Sequence, residues 1–270
     1  MAWRVARERI GVSFSLDKVR ELAGLIQFTF LAKAGSAVGN NIDAFVTARF
    51  LGADMVPVLV LSRKAFDICS IIISRPAMAI TPALSHLVGE GNIVKARHVL
   101  IRLVRMMTWL LVLVAGGLLS LNSEFVSLWV GSHLYAGSDI NMLLCLGLVL
   151  AIVTTSLSNL CVALGNIKGS SMATLVQSVI VIALLVVGAK FGGLIGVVVA
   201  PLIAMLLVGV WYFPWLFARL LDLTREDLRS IGGEFLKAVS AAAVPVGALT
   251  LMHTGSLADF VLQVIFFIVL

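Results

Sequence analysis

Charge is scarce in this chain. Asp, Glu, Lys and Arg make up 13% of its 270 residues and hydrophobic residues make up 60%, whereas a soluble globular protein is about a quarter charged and about half apolar. Residues 140–165 and 194–218 contain no charged side chain, and each stretch exceeds the roughly 20 residues that a helix needs to cross a bilayer. A β-barrel is disfavoured because barrel strands are short and alternate in polarity. The sequence therefore predicts an all-α, polytopic helical membrane protein.

Cysteine and histidine are also rare, with three and four residues respectively. Cys69, Cys145 and Cys161 fall inside apolar stretches, and no histidine stands near them at a spacing typical of metal ligands. We therefore expect these cysteines to fill space as small apolar side chains. The phosphate-binding loop, the dinucleotide-binding glycine pattern and the nucleophile elbow are all missing from the sequence. The sequence predicts no metal site, no cofactor and no catalytic residue.

Hydropathy divides the chain into membrane spans. The pattern predicts a basic, amphipathic cytoplasmic segment at residues 1–21. It predicts a transmembrane helical bundle of about seven to eight helices at residues 22–270. The eighth span begins near Asp259 and is truncated by the chain end at Leu270. The other spans are predicted at 22–42, 55–80, 106–122, 140–164, 172–190, 194–216 and 237–252. A tight turn between the fifth and sixth spans is predicted by Gly188, Gly192, Gly193 and Gly196.

Lysine and arginine are distributed unevenly between the two sides of the predicted spans. Of these 20 residues, fourteen fall before the first span or in the loops near residues 95, 168 and 225, and the opposite side holds Arg49 and Lys190. The remaining four lie within spans. Because positive residues concentrate in cytoplasmic loops, we expect the amino terminus in the cytoplasm. The pI near 9.6 is thus a sign of topology, and nucleic-acid binding is not expected.

A polar stripe runs along the first predicted span. Its members are Thr29, Lys33, Ser36, Asn40 and Asp43. Their spacing of four and three residues places them within an arc of about 80° on a helix. Lys33 lies about 16 Å along the span, too deep to snorkel to the surface. The stripe therefore predicts a hydrated cavity lined by protein, and the alternative is a polar seam that joins two helices.

The second predicted span contains a charged cluster, which consists of Arg63, Lys64, Asp67 and Arg75. Charge inside a membrane span is costly and usually marks a functional site. Lys64 and Arg75 lie about 20° apart in helical projection, and Arg63 precedes Asp67 by four residues, a spacing that permits an ion pair. Alternatively, Arg75 snorkels to the cytoplasmic interface and Arg63 anchors the outer side.

Together with Lys33, the charged cluster has a net charge of +3, which suits an anionic ligand. The predicted substrate-binding residues are Lys33, Asn40, Arg63, Lys64 and Arg75, and the predicted charge-pairing residues are Asp43 and Asp67. The fourth span adds a polar group, Thr154, Thr155, Ser156, Ser158 and Asn159. We expect the side chains of this group to bond to their own or neighbouring helices, with a substrate contact as the alternative.

Four sets of short motifs are spread over roughly residues 16–250. They are Asn41-Ile42-Asp43 with Phe50-Leu51-Gly52, Pro82-Ala83-Leu84-Ser85-His86-Leu87 with Gly89-Glu90-Gly91, Leu164-Gly165-Asn166, and Phe191-Gly192-Gly193-Leu194-Ile195-Gly196. In order and spacing they resemble the carboxyl-terminal lobe of bacterial polysaccharide flippases of the MOP superfamily, relatives of the O-antigen exporters, lipid II flippases and MATE exporters. The chain departs from that pattern at Ala44, where a basic residue is frequent, and at Met55-Val56-Pro57, where a tyrosine is frequent.

The resemblance implies a role in the biosynthesis of polysaccharide or lipopolysaccharide. Such proteins flip a lipid-linked oligosaccharide, here expected to be undecaprenyl-diphosphate-linked, across the bacterial inner membrane. They break no covalent bond, so the chain is not expected to be an enzyme. Its expected partners are this substrate, membrane lipids and either a missing amino-terminal lobe or a second copy, which the polar stripe would face. The alternatives are a MATE-type cation-coupled exporter, which the basic excess disfavours, and a non-transporting partner of a polysaccharide synthase, which has no need of Lys33.

Overall fold

The computed structural model of the chain describes residues 16–249. Of these residues 92% are helical and none forms a strand, which confirms the predicted all-α class. The seven helices are α1 (Leu16–Leu51), α2 (Met55–Gly89), α3 (Ile93–Trp129), α4 (Ser138–Ala163), α5 (Ile167–Ala204), α6 (Val210–Leu220) and α7 (Arg225–Leu249). A π-helical segment, Met205–Gly209, joins α5 to α6. α1 passes without a break through the predicted boundary at residue 21.

Within the described residues, three helical stretches are long and apolar enough to cross a membrane, namely Ile93–Trp129, Ser138–Ala163 and Ile167–Leu220. This finding is compatible with the predicted membrane protein. α1 and α2 are not among the three. Length and apolarity alone therefore do not confirm seven to eight spans. The predicted span at 237–252 is only partly covered by the described residues, and the eighth lies outside them.

The continuous run Ile167–Leu220 folds back on itself at Gly193, whose backbone angles are non-helical (φ 59°, ψ −143°). Glycine reaches this region without the strain that a Cβ atom causes. The two arms then pack tightly, since a Cβ atom added to Gly188 would lie 2.3 Å from the carbonyl oxygen of Gly196. The tight turn predicted between the fifth and sixth spans is confirmed. We call this unit the α5–α6 hairpin, with a first arm before Gly193 and a second arm after it.

The turns collect at two ends of the bundle. The basic end contains the turns at 90–92, 164–166 and 221–224, and the loop end contains those at 52–54, 130–137 and 193. At the basic end, the Ser85 hydroxyl of α2 donates to the carbonyl oxygen of Ala163 in α4 at 3.3 Å. At the loop end, the Ser62 hydroxyl donates to the carbonyl oxygen of Leu134 at 3.2 Å, and the buried Asn122 amide donates to the carbonyl oxygen of Ser62 at 3.0 Å. The three basic loops of the sequence therefore share one end.

Helix α7 is attached to α3 by polar contacts at the basic end. Arg97 of α3 pairs with Asp227 in the first turn of α7. The Thr224 hydroxyl and backbone N–H also donate to this carboxylate, at 2.6 and 2.7 Å. These two hydrogen bonds, followed by Arg97, hold the pKa of Asp227 below its usual value. Farther along, Trp109 Nε1 donates to Glu234 at 3.2 Å, so the attachment continues for two turns of α7.

Helix α1 packs along the first arm of the α5–α6 hairpin and makes far fewer contacts with α2. Gly35 permits this close approach, because a Cβ atom there would lie 3.3 Å from the Cβ atom of Ser178. Gly39 lies one turn farther along α1, and its nearest neighbour is Val181, one turn farther along α5. The two helices therefore run parallel. Since α1 diverges from α2, a space remains between them and the rest of the bundle.

Candidate functional site

This space is a cavity of about 720 Å³ between α1, α2, α4 and both arms of the α5–α6 hairpin. Its volume falls in the range of small-molecule sites, about 300–1,000 Å³. Most of the wall is apolar, with Leu59, Leu148 and Val197 among the lining residues. Polar residues line the rest, and they come from all four elements. We call it the bundle cavity.

Most of the polar stripe of α1 faces the bundle cavity. Thr29, Lys33, Ser36 and Asp43 all line it, whereas the side chain of Asn40 lies outside the described part of the chain. Helices α2, α4 and the α5–α6 hairpin of the same chain provide the rest of the wall that these residues face. Lys33 is exposed to the cavity and has no hydrogen bond or ion pair with any described residue.

Arg63 of α2 connects two carboxylates in the cavity wall nearest the loop end. It forms an ion pair with Asp43 of α1, which is buried, and its Nε atom lies 3.4 Å from Oδ2 of Asp67. Asp43 also accepts a hydrogen bond from the backbone N–H of Ala44 at 2.8 Å. Both predicted charge-pairing residues thus meet the same arginine. The predicted partner of Arg63, Asp67, is the more exposed and more distant of the two.

Lys64 and Arg75 do not line the bundle cavity. Both are exposed on α2, on the side opposite the buried Phe66 and Ile73, and neither has a hydrogen bond or ion pair with a described residue. We call this side, with the exposed Ile68 and Ile71 between the two cations, the cationic face. Ile71 also lines the bundle cavity, so the cationic face borders the cavity mouth.

The expected net charge of +3 is therefore not the charge of the bundle cavity. Its charged lining residues are Lys33, Arg63, Asp43 and Asp67, whose formal charges cancel. The charge of +3 includes Lys64 and Arg75, which lie outside the cavity, and omits Asp43, which lines it. Two sites of different chemistry result. The bundle cavity combines a mostly apolar wall with polar groups and carries no net formal charge, and the cationic face is positive.

Hydroxyl and amide side chains of α4 and of the first arm of the α5–α6 hairpin form a further polar part of the cavity wall. They are Thr154, Thr155, Ser158 and Asn159 of α4, and Ser170, Ser171, Thr174, Gln177 and Ser178 of α5. Some bond back to their own helix, as the Thr174 hydroxyl does to the carbonyl oxygen of Ser170 at 2.9 Å. The α4 residues belong to the predicted polar group, but Ser156 of that group does not line the cavity. Sequence reasoning missed the α5 residues, although Ser170, Thr174 and Gln177 repeat the spacing of four and three that revealed the α1 stripe.

Two polar atoms in this wall have no hydrogen-bond partner among the described residues. They are the hydroxyl oxygen of Ser170, a residue that is 1% exposed, and the side-chain carbonyl oxygen of Gln177. A buried polar atom left without a partner costs about 1–3 kcal/mol. Such atoms in the wall of a cavity are therefore candidates for contact with a ligand or with water.

The described residues contain no cluster of His, Cys, Asp and Glu that could hold a metal ion. No known protein family, characterised protein or solved structure matches the chain. Its function must therefore be argued from the bundle cavity, the cationic face and the sequence motifs.

Proposed function

We propose that this chain is one lobe of a transporter that flips an undecaprenyl-diphosphate-linked oligosaccharide across the bacterial inner membrane during polysaccharide biosynthesis. The motif resemblance supports the family, and the three apolar helical stretches support a membrane location. In this proposal the two arms of the α5–α6 hairpin cross separately, and the chain spans the membrane seven to eight times. The single observation that carries the proposal is the cationic face.

The cationic face presents two charges where a lipid-facing helix would present none. Lys64 and Arg75 are both exposed within a helix that packs among apolar spans. An ionised side chain at the bilayer centre costs roughly 2.5–3.5 kcal/mol on insertion scales. That cost is avoided if the face borders a hydrated space against a second lobe. We propose an amino-terminal lobe or a second copy of this chain as that partner.

The two cations suit a diphosphate. Arginine forms forked hydrogen bonds to phosphate oxygens, and lysine acts as a compact point charge. Their Cα atoms are separated by eleven residues of helix, or about 16 Å. Arg75 is nearer the basic end and Lys64 nearer the loop end. With the basic end in the cytoplasm, the diphosphate would reach Arg75 first and Lys64 later, while the lipid tail stays in the bilayer.

Transport would proceed by alternating access, with the two lobes exposing the cationic face to one side of the membrane and then to the other. The chain would supply binding energy and a path for the anion. No covalent bond changes, so the proposed activity is not enzymatic.

The test is equilibrium binding of undecaprenyl diphosphate to the purified chain in lipid nanodiscs. Replacing both cations, as Lys64→Gln with Arg75→Gln, should weaken binding at least tenfold, since tenfold is about 1.4 kcal/mol and a hydrogen bond to a charged group contributes about 1.5–3 kcal/mol. The matched control is Lys190→Gln, which removes an exposed cation near the hairpin turn. Unchanged binding by the double variant would refute the proposal and favour a non-transporting partner of a synthase.

A second candidate is a MATE-type, cation-coupled exporter. The observation in its favour is that Asp43 and Asp67 both line the bundle cavity, because carboxylates are the groups that bind a cationic substrate. Arg63 contacts both of them, so a cation would first have to displace the arginine. Competition by a cationic drug for the bundle cavity, with no binding of undecaprenyl diphosphate, would favour this candidate.

A further inference from the structure

We propose that the bundle cavity is a sugar pocket, which receives the first saccharide units of the substrate while the diphosphate lies on the cationic face. This inference rests on the proposed function, and it assigns a separate site to a separate part of the same molecule.

The position follows from α2. Ile71 lies between Lys64 and Arg75 on the same side of the helix and lines the bundle cavity, as does Asp67 beside it. A diphosphate that moves along the cationic face from Arg75 to Lys64 therefore passes Ile71 and the cavity mouth. The sugar attached to that diphosphate can enter the cavity without a change in the position of the charge. The lipid tail extends from the other phosphate and remains outside.

The chemistry suits a sugar better than an anion. The formal charges of the lining residues cancel, so the bundle cavity gives no net attraction for a second phosphate. Its polar wall consists of hydroxyl and amide groups, among them Ser158, Asn159, Thr174 and Gln177. Hydroxyls that bond back to their own helix, such as that of Thr174, still offer lone pairs that accept hydrogen bonds. A sugar hydroxyl both donates and accepts, and matches such a wall.

The unpartnered atoms are hydrogen-bond acceptors in residues of this wall that no described residue satisfies. The Ser170 oxygen and the Gln177 carbonyl oxygen lie one above the other on α5, since seven residues correspond to about two turns. Both belong to residues of the cavity wall. Ser156 of α4 is also buried with an unpartnered hydroxyl but does not line the cavity. Ser156 therefore also has an unpartnered buried hydroxyl, but it is not placed to contact a sugar in the cavity.

The size limits the ligand. A volume of about 720 Å³ is in the middle of the range for small-molecule pockets, about 300–1,000 Å³. It accommodates one or two saccharide units. The remainder of an oligosaccharide would stay in the hydrated space between the lobes.

The test compares two kinds of probe on the purified chain in lipid nanodiscs. One probe is undecaprenyl diphosphate, and the others are undecaprenyl diphosphates that carry a single hexose or a single N-acetylhexosamine. We expect at least one glycosylated probe to bind at least about fivefold more tightly than the bare lipid, the gain from one or two added hydrogen bonds. Ser170→Ala combined with Gln177→Leu should reduce this gain to less than twofold and leave affinity for the bare lipid unchanged.

Ser156→Ala is the matched control and should keep the full gain. If the double variant is recovered poorly, Ser170→Ala alone gives the same comparison, because it removes only an unpartnered hydroxyl. The sugar pocket is refuted if no glycosylated probe binds more tightly than the bare lipid, or if the Ser156 and Ser170 variants behave alike. In both cases the proposed function stands if binding of undecaprenyl diphosphate still depends on Lys64 and Arg75. If undecaprenyl diphosphate does not bind at all, the proposed function itself is refuted.

Discussion

Of the two basic residues that line the bundle cavity, Arg63 has two carboxylate partners and Lys33 has none among the described residues. The Arg63 side chain is 28% exposed, and its two carboxylate partners differ in burial, with Asp43 at 10% and Asp67 at 49% side-chain exposure. The interaction with Asp43 takes place away from water and is screened less. Asp43 also joins α1 to α2, two helices that otherwise make few contacts.

We therefore expect Asp43→Asn to destabilise the protein more than Asp67→Asn. Removing one partner of a fully buried ion pair costs about 3–5 kcal/mol, and the partial exposure of Arg63 reduces this to about 1–3 kcal/mol for Asp43. For the exposed Asp67 the expected loss is below about 1 kcal/mol. Thermal unfolding of the purified variants in detergent measures both changes. Equal losses for the two variants would show that Asp43 does not provide the main partner.

The sequence could predict only part of this arrangement. Arg63 and Asp67 are four residues apart on one helix, so their contact follows from helical spacing. Asp43 is twenty residues away from Arg63 on another helix, and only the angle between α1 and α2 decides whether they meet. The pairing of Arg63 with Asp67 that the sequence predicts therefore accounts for only one of the two carboxylates that Arg63 contacts.

The α5–α6 hairpin depends on close contact between two glycines. The backbones of Gly188 and Gly196 approach so closely that an added Cβ atom would lie 2.0–2.3 Å from a carbonyl oxygen of the other arm. A backbone atom cannot move aside as a flexible side chain can. The arms would have to separate, and both arms line the bundle cavity.

Gly188→Ala should therefore reduce the free energy of unfolding by about 1–3 kcal/mol or more, the usual cost of overpacking. The matched control is Gly192→Ala, only four residues away, where an added Cβ atom has nothing within 4 Å. Thermal unfolding in detergent compares the two variants. If Gly192→Ala lowers thermal stability as much as Gly188→Ala does, the loss results from replacing any glycine near the turn and not from contact between the arms.

Sequence patterns predicted where helices lie along the chain better than they predicted which helices pack against each other. Hydropathy located α3, α4 and the hairpin, because long apolar runs have few alternatives to a membrane-spanning helix. Helical spacing grouped Lys64 with Arg75 and grouped the residues of the α1 stripe. It did not reveal that the stripe faces α4 and α5, since packing partners depend on tertiary contacts. The cationic residues were therefore expected in one cavity, whereas the structure divides them between two sites.

The described bundle has two different ends, and the proposed transport path depends on which end faces the cytoplasm. The basic loops near residues 95, 168 and 225 share the basic end. Arg75 lies nearer that end and Lys64 nearer the loop end, so orientation also fixes the order in which a diphosphate would meet them. The positive-inside rule assigns the basic end to the cytoplasm.

Cysteine labelling at positions 132 and 230 tests this orientation. Ser132 lies in the loop-end turn and Ser230 in α7 near the basic end, and both are exposed. Between them the chain passes through α4 and the two arms of the α5–α6 hairpin, an odd number of crossings. With Cys69, Cys145 and Cys161 replaced by alanine, a membrane-impermeant thiol reagent should label Ser132→Cys on intact spheroplasts and Ser230→Cys only after lysis. Labelling of both from one side would mean that α4 or one arm does not cross, and the opposite pattern would reverse the proposed path from Arg75 to Lys64.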